Sequence, residues 1–226
     1  MTNPLQTIDD SIETRHLLKH PFYIAWKAGE LTPAALRSYA AQYYQHVNAF
    51  PTYISALHSR CEDMPTRQTL LENLVDEEHG EENHPALWRR FATAVGCTDE
   101  ETENATPLPE TASTIATFRR AMSEGSVTRG LAALYAYESM VPATATEKIH
   151  GLAEHYGVEG SPGTDYFEVH RTLDIEHAAD TRALLETRLT NDEEIAEANT
   201  GTAMALDAIN GLLDGICREQ EMPVTV

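Results

Sequence analysis

The sequence lacks any run of apolar residues long enough to cross a membrane, and it does not open on a basic stretch followed by an apolar one. A spanning helix needs about 20 predominantly apolar residues, and a secretory signal needs both of those features. We therefore expect neither a membrane span nor a signal peptide. Cysteine is scarce too: Cys61, Cys97 and Cys217 are few, odd in number and far apart. This pattern predicts no disulfide framework and a cytoplasmic protein.

Positive charge is also in short supply. The chain has 16 Lys and Arg against 36 Asp and Glu, which gives a formal net charge of −20. Nucleic acids and anionic membranes attract basic surfaces, so we expect neither as a partner. Only three of the basic residues are lysines, at positions 19, 27 and 148.

Strand-like alternation bounded by Asn-Gly or Asp-Gly turns is missing, whereas helical periodicity covers nearly the whole chain. Thr32 and Pro33 predict the start of a long helix, in which Pro51 should cause a kink or a break. Pro85 should disturb a later long helix. Seven to nine helices result, with no linker long enough to divide them. We expect an all-α bundle that forms a single domain over residues 1–226.

The stretch HRTLDIEH places His170, Asp174 and His177 at steps of four and three. On an α-helix this spacing brings the three side chains to one face. A carboxylate-x-x-His step recurs in dinuclear metal sites inside helical bundles, where one helix supplies two ligands. The spacing predicts a metal-binding face, and a solvated polar stripe is the alternative.

A second candidate lies in VDEEHGEENH, where Glu77 and His84 are seven residues apart and would share one face of a continuous helix. Glu81 lies near the same face and is an alternative ligand. Taken alone, this stretch is explained better by an acidic surface helix than by a metal site. Its assignment therefore depends on further ligands elsewhere in the chain.

A third candidate is Glu138, which lies inside the apolar stretch AALYAYESM. A buried carboxylate is unfavourable unless it binds a cation or a polar partner such as Tyr or Arg. The full candidate set is Glu77, His84, Glu138, His170, Asp174 and His177. Three carboxylates and three imidazoles suit two divalent cations with open positions for dioxygen, and the absence of thiolate favours iron or manganese.

The order of these motifs resembles the CADD family, named after the chlamydial protein associating with death domains. The resemblance is carried by HPFYIAWKAGELT, YYQHVNAFPTYISALHSRC, NLVDEEHGEENHPALW, ALYAYESMVP, EKIHGL and HRTLDIEH, which span most of the chain. The family belongs to the heme-oxygenase-like di-metal oxidases, and TenA and PqqC are more distant relatives in fold. The resemblance implies a seven-helix bundle and a homodimer, and it selects Glu77 rather than Glu81 as a ligand.

The resemblance also implies an activity. Members of the family supply 4-aminobenzoate for folate biosynthesis. A metal pair, Fe/Fe or Fe/Mn, activates dioxygen with electrons from a reductant, and a tyrosine of the protein itself is cleaved to become the product. The cleaved tyrosine falls on Tyr23 and the amine-donating lysine on Lys148, while Tyr137 and Tyr39 match redox-active or supporting tyrosines. Without the resemblance, Tyr23 would be an ordinary packing residue and Lys148 a surface residue paired with a glutamate.

Three other functions are compatible with the sequence. The same metal pair could oxidise an external small molecule, which would leave Tyr23 and Lys148 intact. A TenA-like enzyme would hydrolyse an aminopyrimidine with a cysteine nucleophile, for which Cys61 near a helix end is the candidate. A metal-buffering or protein-binding helical module would carry out no reaction.

Overall fold

The computed structural model describes residues 3–224, so the predicted domain of residues 1–226 extends beyond it by two residues at each end. These described residues form α-helices and one 3₁₀ helix (Leu17–Lys19), and they contain no strand. The α-helices are α1 (Pro4–Thr14), α2 (Pro21–Lys27), α3 (Pro33–His58), α4 (Met64–Glu78), α5 (His84–Ala94), α6 (Asp99–Glu103), α7 (Pro109–Ser123), α8 (Val127–Glu138), α9 (Val141–His155), α10 (Asp165–Arg188) and α11 (Asp192–Glu219). The predicted all-α fold class is confirmed.

The helices are more numerous than the seven to nine expected, because turns divide two of the predicted segments and a predicted connection contains a helix. Gly80, with a φ of 83°, lies between α4 and α5. Ser139 and Met140 separate α8 from α9. The short α6 is held by a capping box, in which Thr98 and Glu101 bond to each other's backbone N–H groups.

The long helix α3 begins as predicted but is not interrupted at its internal proline. The Thr32 hydroxyl accepts a hydrogen bond from the Ala35 N–H at 3.1 Å and so caps the helix. Of the predicted kink or break at Pro51, the break is wrong, since α3 continues to His58. Pro51 is buried in a helix that packs against α4, α5, α7 and α11, and this packing outweighs the loss of one backbone hydrogen bond.

Helix α8 lies at the centre of the bundle, between α11, α10 and α7. Its residues from Gly130 to Glu138 are all buried, as expected for a helix that is apolar on every side. The helix ends at Glu138, so a carboxylate is delivered into the interior. None of the helices in the described range is long and apolar enough to cross a lipid bilayer.

The crossing of α8 and α11 depends on Gly201, because a Cβ atom there would collide with the backbone carbonyl of Arg129. We expect Gly201→Ala to lower the free energy of unfolding by about 1–3 kcal/mol, the usual cost of overpacking. Gly211→Ala in the same helix is the control, since no atom lies within 4 Å of a Cβ at that position. It should raise stability by about 0.5–1 kcal/mol through helix propensity. Urea unfolding of the metal-free proteins measures both, and equal values would contradict the crowding at Gly201.

Candidate metal centre and tyrosine cluster

Glu77, His84 and His170 form a buried group whose ligand atoms all lie within 4.8 Å of one another. The Nδ1 atom of His84 lies 2.7 Å from Oε2 of Glu77. This close pair lacks the alignment of a hydrogen bond, and His84 Nδ1 has no other partner among the described residues. The two atoms form an ion pair when His84 is protonated, and when His84 is neutral both are placed so that they could bind one cation.

The contact between Glu77 and His84 does not arise from a shared helical face, and that part of the sequence prediction is wrong. Helix α4 ends at Glu78, the chain turns at Gly80, and a new helix begins at His84. The Asn83 side chain caps this second helix by accepting a hydrogen bond from the Ala86 N–H at 3.0 Å. The two candidate ligands therefore meet across a turn, whereas Glu81 within the turn is exposed.

Glu138, Asp174 and His177 form a second buried group beside the first. Asp174 and His177 lie one turn apart on α10, with 3.6 Å between Oδ1 and Nδ1. Glu138 Oε2 and His177 Nδ1 have no hydrogen-bond partner among the described residues. Buried polar atoms are nearly always paired, so two unpaired atoms in one buried group are consistent with a place where a cation could bind.

Hydrogen bonds fix the orientation of two of the candidate imidazoles. The Nδ1 atom of His170 lies 2.7 Å from the backbone carbonyl of Tyr166, so it carries the proton. The Nε2 atom of His177 lies 3.1 Å from Oδ2 of Asp76. These contacts leave His170 Nε2 and His177 Nδ1 available to bind a cation. In metal sites, a hydrogen bond to one ring nitrogen of a histidine usually orients the other nitrogen toward the metal.

A small cavity joins the two groups. Its volume is only about 10 Å³, and four of the candidate ligands line it: Glu77, Glu138, His170 and Asp174. Asn73 donates a hydrogen bond of 2.7 Å to Oε1 of Glu138 and so orients that carboxylate. The sequence prediction missed both Asn73 and Asp76, which lie on the helix that carries Glu77. In the sequence, these two residues are marked only by their closeness to Glu77, and that closeness is informative only once Glu77 is identified as a candidate ligand.

The electrostatics of this group favour a cation. Burial and then the neighbouring charge of Asp174 raise the pKa of Glu138 to about 8. Burial likewise raises the pKa of Asp174 to about 6. For His177 burial acts in the opposite sense, but the contact with the Asp174 carboxylate and the charge of Glu138 raise its pKa to about 9. Without a metal, the buried carboxylates bind protons because no positive charge compensates them. A set of carboxylates and imidazoles of this kind fits iron or manganese.

Tyr23, Tyr39 and Lys148 lie together in the core, and all three are buried. The hydroxyl oxygens of Tyr23 and Tyr39 are 3.2 Å apart. Lys148 Nζ lies 5.6 Å from the ring centre of Tyr23 and 5.4 Å from that of Tyr39. The fourth predicted catalytic residue, Tyr137, is not in this cluster and instead lines the small cavity between the candidate metal ligands, which is termed the metal cavity.

Tyr43 connects these two places, and the sequence prediction missed it. Its hydroxyl lies 3.0 Å from that of Tyr137, and its ring centre lies 5.2 Å from that of Tyr39. The result is a continuous line of phenols from the metal cavity to the interior: Tyr137, Tyr43, Tyr39 and Tyr23. Tyr39 and Tyr43 are one helical turn apart on α3, a spacing that puts both on the same face.

Lys148 is enclosed by aromatic rings, so its assignment as a surface residue paired with a glutamate is wrong. The ring centres of Tyr43, Trp88 and Phe167 lie 5.2, 5.6 and 5.0 Å from Nζ. Its neighbour Glu147 pairs with Lys27 instead, at 3.3 Å. Burial lowers the pKa of Lys148 to about 7, which makes the neutral, nucleophilic amine accessible near neutral pH.

This buried lysine should make stability depend on pH. The pKa of Lys148 is about 7 in the folded chain against an ordinary value of 10.5, so the unfolded chain binds the extra proton between these pH values. The resulting loss of stability is complete below pH 7 and disappears as the pH rises to 10.5. We therefore expect metal-free Lys148→Met to be more stable than the wild type at neutral pH, by up to about 5 kcal/mol.

Denaturant unfolding across this pH range measures the difference between Lys148→Met and the wild type. Lys27→Met, at an exposed lysine, serves as the control for the loss of a lysine as such. A difference for Lys148→Met that stays constant at all pH values would contradict the buried amine.

Cys61 lacks the features of a nucleophile. Its thiol is buried and donates to the backbone carbonyl of Leu57 at 3.2 Å. Burial raises the pKa of Cys61, which disfavours the reactive thiolate. The geometry at this position therefore gives no support to a TenA-like hydrolase.

Comparisons with known protein sequences agree on one family. Residues 37–210 match the model of a family described as an iron-containing redox enzyme. A protein of Nitrosomonas europaea named 4-aminobenzoate synthase is 46% identical over 220 residues, covering 93% of this chain and 89% of that protein. A protein of Chlamydia trachomatis with the same name is 43% identical over 205 residues, covering 90% of this chain and 89% of that protein.

Solved structures share the fold at low sequence identity. A CADD-like protein of unknown function from Nostoc punctiforme superposes with a TM-score of 0.79 at 17% identity, covering 96% of each chain. A TenA homologue from Pseudomonas syringae gives a TM-score of 0.81 at 16% identity, covering 94% of this chain and 92% of that one. The heme-oxygenase-like and TenA-like architecture expected from the sequence is confirmed.

Proposed function

The chain belongs to the family of iron-containing redox enzymes, and from this premise we propose that it makes 4-aminobenzoate from its own Tyr23 and Lys148. The relatives named 4-aminobenzoate synthase support the product. The observation that carries the proposal is the burial of Tyr23 beside Lys148 at the end of a line of phenols that starts at the metal cavity.

The metal pair would be held by the candidate ligands of the two buried groups, and the free acceptor atoms described above support this assignment. Bound there, two iron ions or an iron and a manganese ion would supply the oxidising power of activated dioxygen. The protein itself contributes the low-polarity surroundings and the hydrogen bonds that orient the ligands.

The line of phenols would carry the oxidation from the cavity to Tyr23. Burial holds the pKa values of Tyr23, Tyr39 and Tyr137 well above the usual range, so each phenol keeps its proton at rest. Loss of an electron must then be coupled to loss of the hydroxyl proton. The hydroxyl contacts between Tyr137 and Tyr43 and between Tyr39 and Tyr23 provide an adjacent oxygen for that proton.

The product defines which bonds of Tyr23 must change. 4-Aminobenzoate retains the six-membered ring of tyrosine and one carbon outside it, so the bond between Cα and Cβ must break and Cβ must be oxidised to a carboxylate. The phenolic oxygen must be replaced by nitrogen, and the amine of Lys148 is positioned beside the ring. Each chain would then react once, because both side chains are consumed.

The partners of the reaction would be dioxygen and a reductant, and we retain the prediction of a cytoplasmic homodimer. Light scattering of the purified protein tests the dimer. Nothing in the described residues favours nucleic acid, since the excess of acidic residues repels it.

The proposal is tested by loading the purified protein with iron and manganese, adding a reductant and admitting oxygen. We expect release of at most one 4-aminobenzoate per chain and a matching loss of mass from the peptides that contain Tyr23 and Lys148. Release that continues beyond one per chain while both peptides stay intact would show an external substrate instead. Bound metal with no consumption of oxygen would show a non-catalytic module.

A further inference from the structure

The aromatic contacts do not end at the proposed reaction site. Beyond Tyr39, the ring of Trp26 follows at 5.9 Å between ring centres, and the ring of Tyr156 follows Trp26 at 5.4 Å. Trp26 also lies 6.4 Å from Tyr23. A second line of oxidisable rings therefore continues from the tyrosine cluster through Trp26 to Tyr156.

This second line reaches the surface at Tyr156. The residue is only half-buried, and it lines a surface cleft together with Leu31, Leu36, Val95 and His155. The Tyr156 hydroxyl donates to the backbone carbonyl of Trp26 at 3.1 Å, which fixes the two residues against each other. Tyr156 is therefore the ring of this line that a molecule in solution can reach.

Trp26 has the surroundings of a transient carrier. Its ring is fully buried, and its Nε1–H has no hydrogen-bond acceptor among the described residues. Gly151 of α9 lies against this edge of the indole, where any side chain would collide with Nε1. An oxidised indole that cannot release its proton stays positively charged, and it is readily refilled by a neighbouring phenol that can lose its proton to water.

We propose that Trp26 and Tyr156 form an electron relay between the buried tyrosine cluster and the surface, and that a small one-electron donor delivers electrons at the Tyr156 cleft. The relay rests on the proposed function, because the oxidase reaction supplies the oxidant. It adds an entry point for the reductant that the reaction needs.

The relay conserves electrons and protons. When the tyrosine cluster lacks one electron, Trp26 donates an electron inward and becomes a cation. Tyr156 then donates one electron to Trp26, and its hydroxyl proton leaves the hydrogen bond to the Trp26 carbonyl and passes to water in the cleft. The external donor returns one electron to Tyr156 and water returns the proton. The cluster tyrosine that regains its electron takes back its hydroxyl proton from the adjacent oxygen that held it. The O–H bonds of that tyrosine and of Tyr156 are therefore the bonds that break and re-form.

Radical trapping tests this relay through the position of the adduct. The metal-loaded, reduced protein is exposed to oxygen with the nitroso trap 2-methyl-2-nitrosopropane, and digested peptides are analysed by mass spectrometry. We expect the adduct on Tyr156 in the wild type, and we expect ascorbate present during the reaction to suppress it. In Trp26→Phe the adduct at Tyr156 should fall to the level found at Tyr135.

Tyr135 is the internal control, since its hydroxyl bonds to Asp9 and its ring, although buried, shares no ring contact with the line among the described residues. If Trp26→Phe does not fold, Tyr156→Phe replaces it. In that variant oxidation should stop at Trp26 and leave an oxygenated indole. An adduct at Tyr156 that persists in Trp26→Phe, equal labelling of Tyr135, or an unmodified Trp26 in Tyr156→Phe would overturn the relay.

The relay and the proposed function can fail separately, because 4-aminobenzoate is measured in the same samples. Release of 4-aminobenzoate without an adduct at Tyr156 would overturn the relay and leave the proposed function standing. An adduct at Tyr156 that depends on Trp26, without any 4-aminobenzoate, would support the relay and refute the product.

Discussion

Tyr23→Phe should release no 4-aminobenzoate, although it should fold and bind metal like the wild type. A phenylalanine ring has no hydroxyl proton to lose and is far harder to oxidise than a phenol, so the proposed cleavage cannot start. The structural cost is small, since the substitution removes only the contact with the Tyr39 hydroxyl. A hydrogen bond of this kind contributes about 0.5–1.5 kcal/mol to stability. Chromatography of the small molecules released after exposure to oxygen measures the result.

Tyr53→Phe provides the matched control for this experiment. Tyr53 is also fully buried, and its hydroxyl has no hydrogen-bond partner among the described residues. Its ring packs on Phe118 rather than in the cluster around Lys148. The control should therefore release as much product as the wild type. If Tyr23→Phe also releases the wild-type amount, Tyr23 is not the source of the aromatic ring.

The sequence located groups within one helix reliably, because regular helix geometry determines their positions. His170, Asp174 and His177 lie on α10 and are all buried, as their spacing predicts. Glu77 and His84 are in contact, yet for a different reason from the one their spacing suggests. A capped second helix brings them together, and the turn that permits it depends on Gly80 and Asn83.

Contacts between helices are the part that the sequence could not predict. Asn73 reaches Glu138, and Tyr43 reaches Tyr137, across separations of 65 and 94 residues. Neither pair has a local pattern that distinguishes it from ordinary packing, since each depends on how two helices cross. The same holds for Lys148, whose burial among rings cannot be inferred from the stretch EKIHGL.

Glu138 is the residue whose replacement should most sharply separate metal binding from folding. Burial raises its pKa to about 8, so in the metal-free protein at neutral pH the protonated acid predominates. Glutamine has nearly the same shape as that acid and can still accept the hydrogen bond from Asn73. We therefore expect Glu138→Gln to fold with at least the stability of the metal-free wild type.

Metal content should nevertheless fall in Glu138→Gln, because a neutral amide is a weak ligand for a divalent cation. Asp174 is then the only carboxylate left in the second group. Elemental analysis after loading with iron and manganese should give about two ions per chain for the wild type and about one for Glu138→Gln, since the group of Glu77, His84 and His170 is unchanged. Glu81→Gln, at an exposed glutamate in the turn before His84, is the control and should keep both ions. Two ions retained in Glu138→Gln, or an ion lost in Glu81→Gln, would show that the ligands are not the six proposed.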